Sequence, residues 1–353
     1  MANREILMNP LQIEEANSLL KRYNIDYNTF SLNKDIVPRK IFKSYCGEHI
    51  IYGSKPEIVI FPNKIDLLDD KNYTETFFRH VNFEIVEPLQ IINKNKNKTT
   101  DFIGAGIFLI EDYIHSKSRI NPPKRKIFVA QPSFRTQYVG QKIEGFSPTF
   151  INLASIGINI EFEEHLKIIS SWENFLIKLG IEKQDIRYQE NWVKKKWGET
   201  EIIGHEVYFC HRSFPLGDAS FNIVINGENN GFTFSDTGFG LERTKWLLNG
   251  GKYTQNFSSK RKDYELDYCD ICNIYALILL IGEGIEPGGN NYRAKIRKIL
   301  KDIKINDLEK LKTITDDFYK TLVGWVELTL NQEKIFRSLS KEISNILLKN
   351  NSF

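Results

Sequence analysis

The amino-acid sequence predicts an α+β fold, in which a mostly antiparallel sheet is flanked by helices and followed by a helical domain. Segments rich in Val, Ile and Phe come in consecutive pairs joined by turns, as is typical of antiparallel strands. Helices do not alternate with them regularly, and from about Asp263 the pattern is helical to the end. We predict an N-terminal extension of unknown role at 1–72, a central domain at 73–262 and a helical domain at 263–353.

Composition sets broad limits on the protein. Its 353 residues are 41% hydrophobic and 26% charged, which suffices for a sizeable core and suggests two or three domains. The net charge of +3 indicates no particular partner. Four cysteines and an N-terminus without an apolar run indicate a reduced, cytoplasmic protein. The longest apolar run, about Ile274 to Ile281, is far below the ~20 residues that cross a bilayer, so no membrane association is expected.

Four strands and one amphipathic helix are predicted in the central region. KIFVAQPSFRTQYV and TFINLASIGINI read as strands, and the loop between them, marked by Gly140, Gly145 and Pro148, predicts antiparallel pairing. HEVYFC and ASFNIVIN predict two more strands, around a turn at Pro215 and Gly217. The helix after TFINLASIGINI has its apolar residues on one face: Phe162, Leu166, Ile169, Trp172, Phe175 and Leu176. Gly180 is suited to its C-terminus.

Two arginines and an aspartate stand next to glycine-rich turns. The chain has no GxxxxGK[ST] and no GxGxxG after a strand, so a nucleotide would have to bind in another way. Arg135 ends a strand and Arg243 begins a helix, and such a pair could clamp a polyphosphate. Each alone is more often a surface arginine. Asp236 could cap the helix near Gly240 or bind an ammonium group, and spacing alone favours the cap.

Metal-type patterns are weak. Cys269 and Cys272 form a CxxC, but Cys46 and Cys210 lack matching spacing, so buried thiols are favoured and no zinc is expected. Cys46 and His49 in YCGEH could contact a metal, but an ordinary loop is the favoured interpretation.

Two further polar patterns have ordinary explanations. His205 and Glu206 would point to opposite faces of a strand, so they are no obvious dyad. Arg293, Arg297 and Lys301 form one cationic helix face, which fits an RNA backbone or, more commonly, a solvated surface.

Several segments together resemble a known enzyme class. SFRTQYV, FINLAS and DTGFGLERTKW, in this order, resemble motifs 2 and 3 of the class II aminoacyl-tRNA synthetases. Within that class, DTGFGLER at 236–243 resembles the alanyl-tRNA synthetase pattern, and the likeness covers roughly residues 74–335. The resemblance implies a class II synthetase-like catalytic domain at 73–262. It also implies that the helical domain at 263–353 corresponds to the region that contacts the tRNA acceptor stem.

The resemblance also implies a role for individual residues. Arg135 would hold the α-phosphate of ATP, Arg243 would hold the γ-phosphate and stack on adenine, and Phe150 would stack on its other face. Asp236 would bind the α-amino group of the amino acid. The remaining implied residues are Asn222, Trp192 and Gly238 at the amino acid, Asn152 and Glu206 at ATP, with Glu206 as a Mg²⁺ ligand, and Arg293, Arg297 and Lys301 on RNA.

The sequence departs from the family pattern at several points. Asn152 stands where the family usually has Glu, and Pro148 where it usually has His. The family's Gly-Pro-Cys-rich segment is replaced by GETEIIGHEVYF, and its editing and C-terminal domains have no counterpart in the 353 residues.

Three functions are therefore expected. The first is a freestanding ligase that uses ATP and Mg²⁺ to activate a small amino acid, alanine foremost, as an adenylate and passes it to a small molecule or carrier. It is favoured because an alanine pocket rejects serine or glycine by only ~1–3 kcal/mol, which ordinary translation could not tolerate without editing. The alternatives are a minimal alanine–tRNA ligase, which the basic helix favours, and a non-catalytic tRNA- or nucleotide-binding paralogue. A homodimer is a further expectation.

Overall fold

The computed structural model describes residues 70–350, with gaps at 95–99, 116–121, 212–213, 227–228, 290 and 306, and the backbone of three strands before residue 70. Cys46 lies outside the described residues, and so do the side chains of His49 and Trp192, whose backbones lie in strands. In the described part, no helix combines the length and apolarity that crossing a membrane would require.

Most of the strands belong to a single sheet. Their bounds are β1 Asn9–Pro10, β2 Lys40–Ser44, β3 Gly47–Ile51, β4 Glu84–Ile85, β5 Arg125–Phe134, β6 Thr149–Ile158, β7 Ile186–Trp197, β8 Thr200–His211, β9 Phe214–Asn226 and β10 Asn229–Gly240. Eight of them form a sheet in the order β1-β7-β8-β9-β10-β6-β5-β4, while β2 and β3 pair separately. Neighbours in the large sheet are antiparallel except β4 and β5, which are parallel.

The helices flank the sheet and then dominate the C-terminal part. Their bounds are α1 Lys71–His80, α2 Glu111–His115, α3 Phe162–Lys178, α4 Leu241–Asn249, α5 Tyr268–Gly282, α6 Asn291–Lys301, α7 Leu308–Val323 and α8 Gln332–Asn350. The predicted α+β class is confirmed: helices flank a mostly antiparallel sheet, and a helical region follows it. Its correspondence to the class II synthetases remains a prediction. The predicted domain limits remain predictions.

One face of the sheet is closed by α3. The indole of Trp172 stacks on Phe239 at 4.4 Å between centroids and donates a hydrogen bond to Ser155 Oγ at 2.7 Å. His165, two turns earlier on the buried side of the helix, contacts Ser235 Oγ at 2.8 Å. The predicted apolar face of this helix is thus confirmed, although Leu166 is only half-buried. Because side chains alternate along a strand, residues between these contacts point to the opposite face.

The opposite face is partly covered by a short segment. A 3₁₀ turn at Gly106–Ile110 and α2 lie over it, and their isoleucines pack on β5, β6, β8 and β9. A Cβ on Gly106 would lie 2.4 Å from the Cβ of Ala154, so only glycine permits this approach. The apolar residues of DFIGAGIFLIEDYI recur at helical spacing and so predict one helix, but the structure has a 3₁₀ turn followed by five helical residues.

A second difference concerns the β8–β9 connection. The predicted turn at Pro215 and Gly217 is wrong, because both residues lie inside β9. The pairing of β8 with β9 shifts register between Phe209 and Cys210. A Cβ on Gly217 would lie 2.6 Å from the carbonyl oxygen of Gly238, so this glycine serves close strand packing.

A buried carboxylate joins the sheet to the helical region. Glu242, in the first turn of α4, is 1% exposed. Its oxygens accept the backbone N–H of Ile151 in β6 at 3.2 and 3.1 Å, and one also accepts the hydroxyl of Tyr275 in α5 at 2.7 Å. Burial raises the pKa of Glu242 to about 7. One side chain therefore ties β6, α4 and α5 together.

Replacing Trp172 by alanine should lower the free energy of unfolding by roughly 3–5 kcal/mol, because it removes a fully buried ring and leaves a cavity. Urea denaturation measures this loss. Lys167→Ala, at an exposed position of the same helix, is the control and should change stability by less than about 0.5 kcal/mol. Equal stabilities of the two variants would contradict the packing described.

Candidate active site

Polar side chains from several strands share the face opposite α3. In the strand register Asp236 of β10 lies opposite Ser220 of β9, which in turn lies opposite Glu206 of β8. Two residues further along β10, Gly238 lies opposite Asp218 of β9. Since directly opposed residues point to the same side of a sheet, these strands bring their polar groups together. The resulting cluster is the candidate active site.

Two arginines border this face, each braced in the same way. The Nε of Arg135, just after β5, donates to the carbonyl of Gly104 at 2.9 Å, and its guanidinium lies 4.8 Å from the ring of Phe150. The Nε of Arg243, in the first turn of α4, donates to the carbonyl of Gly145 at 2.9 Å. Both leave their terminal nitrogens without a hydrogen bond to the described residues, so those nitrogens can bind oxyanions.

The aromatic partners of the arginines differ from the implied adenine sandwich. Arg243 lies 4.5 Å from the ring of Phe146, whereas Phe150 carries Arg135. Gly240 separates Phe150 from Arg243, since a Cβ there would lie 3.6 Å from the one side chain and 3.7 Å from the other. The two side chains implied to enclose adenine are therefore near neighbours. Adenine stacking between them remains a prediction.

Asp236 lies in β10 and does not cap the helix. The N-cap of α4 is Gly240, which makes no side-chain capping bond, so the capping interpretation that spacing favoured is wrong. The pKa of Asp236 is raised to about 7, first by desolvation and then by Asp218 and Glu206, against the opposing effect of Lys195 and Arg135. A cation at Asp236 would relieve this unfavourable charge.

Asp218 is a site residue that the sequence reasoning missed. Its side chain is accessible, yet protein around it raises its pKa to about 6, first by desolvation and then by Glu206. Arg135, Lys195 and Arg243 all favour its charged form. The alternation of Asp218, Ser220 and Asn222 along β9 is a signal that could have identified it.

Glu206 has a partner that the sequence did not reveal. Its Oε1 forms an ion pair with Nζ of Lys195 in β7, and the carboxylate is 5% exposed. Lys195 lies within the run Lys194–Lys196, where nothing in the sequence sets it apart. His205 points the other way, with its ring 5.3 Å from that of Phe162, so the expected opposition of His205 and Glu206 is confirmed.

Two asparagines on this face have contrasting surroundings. Asn152 accepts the N–H of Gly106 through Oδ1 at 2.8 Å, so it anchors the covering segment. A Cβ on Gly238 would lie 2.9 Å from Nδ2 of Asn152, which accounts for glycine there. Asn222 donates through Nδ2 to Ser220 Oγ at 2.7 Å, but its Oδ1 is buried and has no hydrogen-bond partner in the described part of the chain. ATP contacts by Asn152 and amino-acid contacts by Asn222 and Gly238 remain predictions.

The other predicted residues lie apart from this cluster. Arg293, Arg297 and Lys301 are exposed together on α6, which packs against α5 and α8. Cys272 is buried, and the half-buried Cys269 donates through Sγ to a backbone carbonyl.

Two further features of the described residues bear on where a ligand could bind. No group of three or more His, Cys, Asp or Glu residues in this part of the chain is arranged to hold a metal. A separate cavity of about 560 Å³, lined by α1 and residues 85–88, is on the α3 side of the sheet, away from the cluster.

Comparison with known proteins gives similarity to solved structures alone. A scan against models of known families finds no match to this chain, and a search of curated proteins finds none. Among solved structures, the chain is similar to PylSc of Desulfitobacterium hafniense, a pyrrolysyl tRNA synthetase. The two share 15% sequence identity over 55% of this chain and 70% of that chain, with a TM-score of 0.37. A similarity this low carries no argument about activity or substrate.

Asp236→Asn should stabilise the protein without ligands, and more at pH 8 than at pH 5. A carboxyl whose pKa rises from 3.8 in the unfolded chain to about 7 contributes stability below pH ~4 that is lost as the pH rises through about 7. At pH 8 the variant should gain on the order of 1–3 kcal/mol in urea denaturation. Asp112→Asn, an exposed carboxylate on α2, is the control. A difference independent of pH would refute the assigned environment.

Proposed function

We propose that this protein activates an amino acid with ATP to form an aminoacyl-adenylate. The observation that carries the proposal is the convergence on one sheet face of two braced arginines with Asp236, Asp218 and Glu206. Arginines suit phosphates, and a carboxylate with a raised pKa suits an ammonium group. Amino acid and ATP together supply these complementary charges.

The chemistry needs positioning more than proton transfer. The carboxylate oxygen of the amino acid attacks the α-phosphorus, the P–O bond to the β-phosphate breaks, and pyrophosphate leaves with that electron pair. Arg135 would neutralise the α-phosphate and Arg243 the γ-phosphate, while Asp236 would hold the α-ammonium and thereby direct the carboxylate. The bracing of both guanidiniums by backbone carbonyls supports this proposal, since it fixes their direction before substrate arrives.

Magnesium would accompany the nucleotide, and Asp218 fits it better than Glu206. Mg²⁺ in such sites is held by one or two carboxylates together with substrate phosphates. Asp218 is accessible and has no hydrogen bond to a described residue, whereas Glu206 is already paired with Lys195. The ion would supply charge neutralisation on the polyphosphate. Asp218 is therefore proposed in place of Glu206 as the carboxylate ligand.

The acceptor of the acyl group is the least constrained part of the proposal. Transfer to a small molecule or carrier remains our first candidate, and alanine specificity remains a prediction from the resemblance. A tRNA acceptor stem is a second candidate, favoured by the exposed basic residues of α6. Helix α6 is also linked to the site: Lys295 pairs with Asp101 at 3.0 Å, three residues before the carbonyl that braces Arg135. The non-catalytic alternative is disfavoured because two arginines, whose terminal nitrogens bond to no described residue, share the site with Asp236.

Arg135→Ala and Arg243→Ala should each lower amino-acid-dependent ATP–pyrophosphate exchange by roughly 100-fold or more, because each removes charge that stabilises the transition state. Circular dichroism should show an intact fold in both. Arg187→Ala, on an exposed face of β7, is the matched control and should retain full exchange. Exchange at the control rate in either site variant would reject the phosphate assignment.

Asp218→Asn should raise the Mg²⁺ concentration for half-maximal exchange by about 10-fold or more, as expected for loss of a metal ligand. Glu206→Gln should shift it much less, because Lys195 occupies that carboxylate. A Mg²⁺ titration of both variants at saturating ATP makes the comparison. The reverse ranking would return the role to Glu206.

A further inference from the structure

We propose that Asn222 and Lys195 form a subsite that selects an amino acid carrying a neutral hydroxyl in its side chain, rather than alanine. This rests on the proposed function, because it assumes that Asp236 holds the α-ammonium group. The subsite is defined as Asn222 Oδ1, Lys195 Nζ and the surface of Gly204 beneath them.

Gly204 allows the polar groups of the subsite to converge. A Cβ at this position would lie 3.0 Å from Oδ1 of Asn222, 3.2 Å from Oε1 of Glu206 and 3.5 Å from Cε of Lys195. Any other residue would force these side chains outward. Three side chains from β7, β8 and β9 thus meet over one glycine in the sheet.

Asn222 presents a buried acceptor that needs a donor. Its side-chain nitrogen donates to the hydroxyl and the backbone carbonyl of Ser220, while Oδ1 has no hydrogen-bond partner among the described residues and Asn222 is 1% exposed. An unpartnered buried acceptor destabilises the folded protein, and a ligand donor would remove that cost. The backbone carbonyl of Ser220, 3.3 Å from Nδ2, can only accept, so it sets the orientation of the amide and thereby the position of Oδ1.

Lys195 presents the complementary donor. An ammonium group has three N–H bonds, and among the described residues Nζ of Lys195 donates to Glu206 Oε1. A hydroxyl can donate to Asn222 Oδ1 and accept from Lys195 at the same time. A methyl group satisfies neither residue, a side-chain ammonium would meet the charge of Lys195, and a carboxylate has no proton for Asn222. The pair Lys195–Glu206 is neutral overall, which also favours a neutral ligand group.

The position of the subsite agrees with this role. Asn222 lies opposite Phe234, two residues along β10 from Asp236 and thus about 7 Å further along the strand. The arginines lie in the other direction along β10. Gly240, at that end of the strand, pairs with Asn152 and precedes Arg243 in the first turn of α4. With the α-ammonium at Asp236 and the carboxylate towards Arg135, the amino-acid side chain would extend towards Asn222.

The test is ATP–pyrophosphate exchange with matched pairs of amino acids: serine with 2-aminobutyrate, threonine with valine and homoserine with norvaline, alongside alanine and 2,3-diaminopropionate. In at least one pair, kcat/KM for the hydroxyl member should exceed that of its partner by about 100-fold or more, because the partner leaves buried polar groups unpaired. Alanine and diaminopropionate should both rank below that hydroxyl substrate.

Variants identify the residues responsible. Asn222→Leu and Lys195→Met should each reduce the hydroxyl preference by about 10-fold or more, mainly through the hydroxyl substrate. Lys194→Met, an exposed neighbour on the same strand, should keep the preference. Retained ATP binding serves as the folding check, and the lysine variant carries the test if Asn222→Leu does not fold.

The outcomes separate the inference from the proposed function. If alanine, a hydroxyl-free partner or diaminopropionate is preferred, or if both variants keep the hydroxyl preference, the subsite is overturned while amino-acid activation stands. If no amino acid supports exchange, the proposed function fails and the subsite fails with it.

Discussion

The buried carboxylate of Glu242 is the constraint on which the candidate site depends. It accepts the Ile151 N–H, which lies between Phe150 and Asn152, and the hydroxyl of Tyr275 in the helical region. Its chain neighbour is Arg243. Strand β6, helix α4 and helix α5 are therefore fixed relative to one another through a single group. Such a group is costly to bury and more costly to leave unpaired, so the three elements are held to one arrangement.

The site gathers charge that folding alone would not favour. Desolvation and repulsion between carboxylates raise the pKa values of Asp218 to about 6 and of Asp236 to about 7. Neither forms an ion pair with a described residue, whereas Glu206 is paired with Lys195. Arg135 and Arg243 offset part of this at the edges. The free protein is thus less stable at these positions, and ligands of opposite charge would restore the stability, as is common at functional sites.

Glycines determine how closely the site can be assembled. Gly106 lets the covering segment reach the sheet, Gly238 leaves room for Asn152, and Gly204 lets Asn222 and Glu206 lie over the backbone. In each case the missing side chain makes space for a hydrogen-bonded polar group or for backbone contact. The arrangement is one of close packing around fixed polar groups and not of an open apolar pocket.

The sequence by itself determined the local features of this protein. Periodicity and turn residues predict the pairing of β5 with β6, the apolar face of α3, and the positions of Arg135 after a strand and of Arg243 at the start of a helix after a glycine-rich turn. The tertiary structure decided the rest. Asp218, Glu206 and Lys195 meet Asp236 only because the register of β7 to β10 aligns them, and register depends on packing across the whole sheet. For the same reason spacing misassigned Asp236 as a cap, since a local pattern does not contain the partners that surround a side chain.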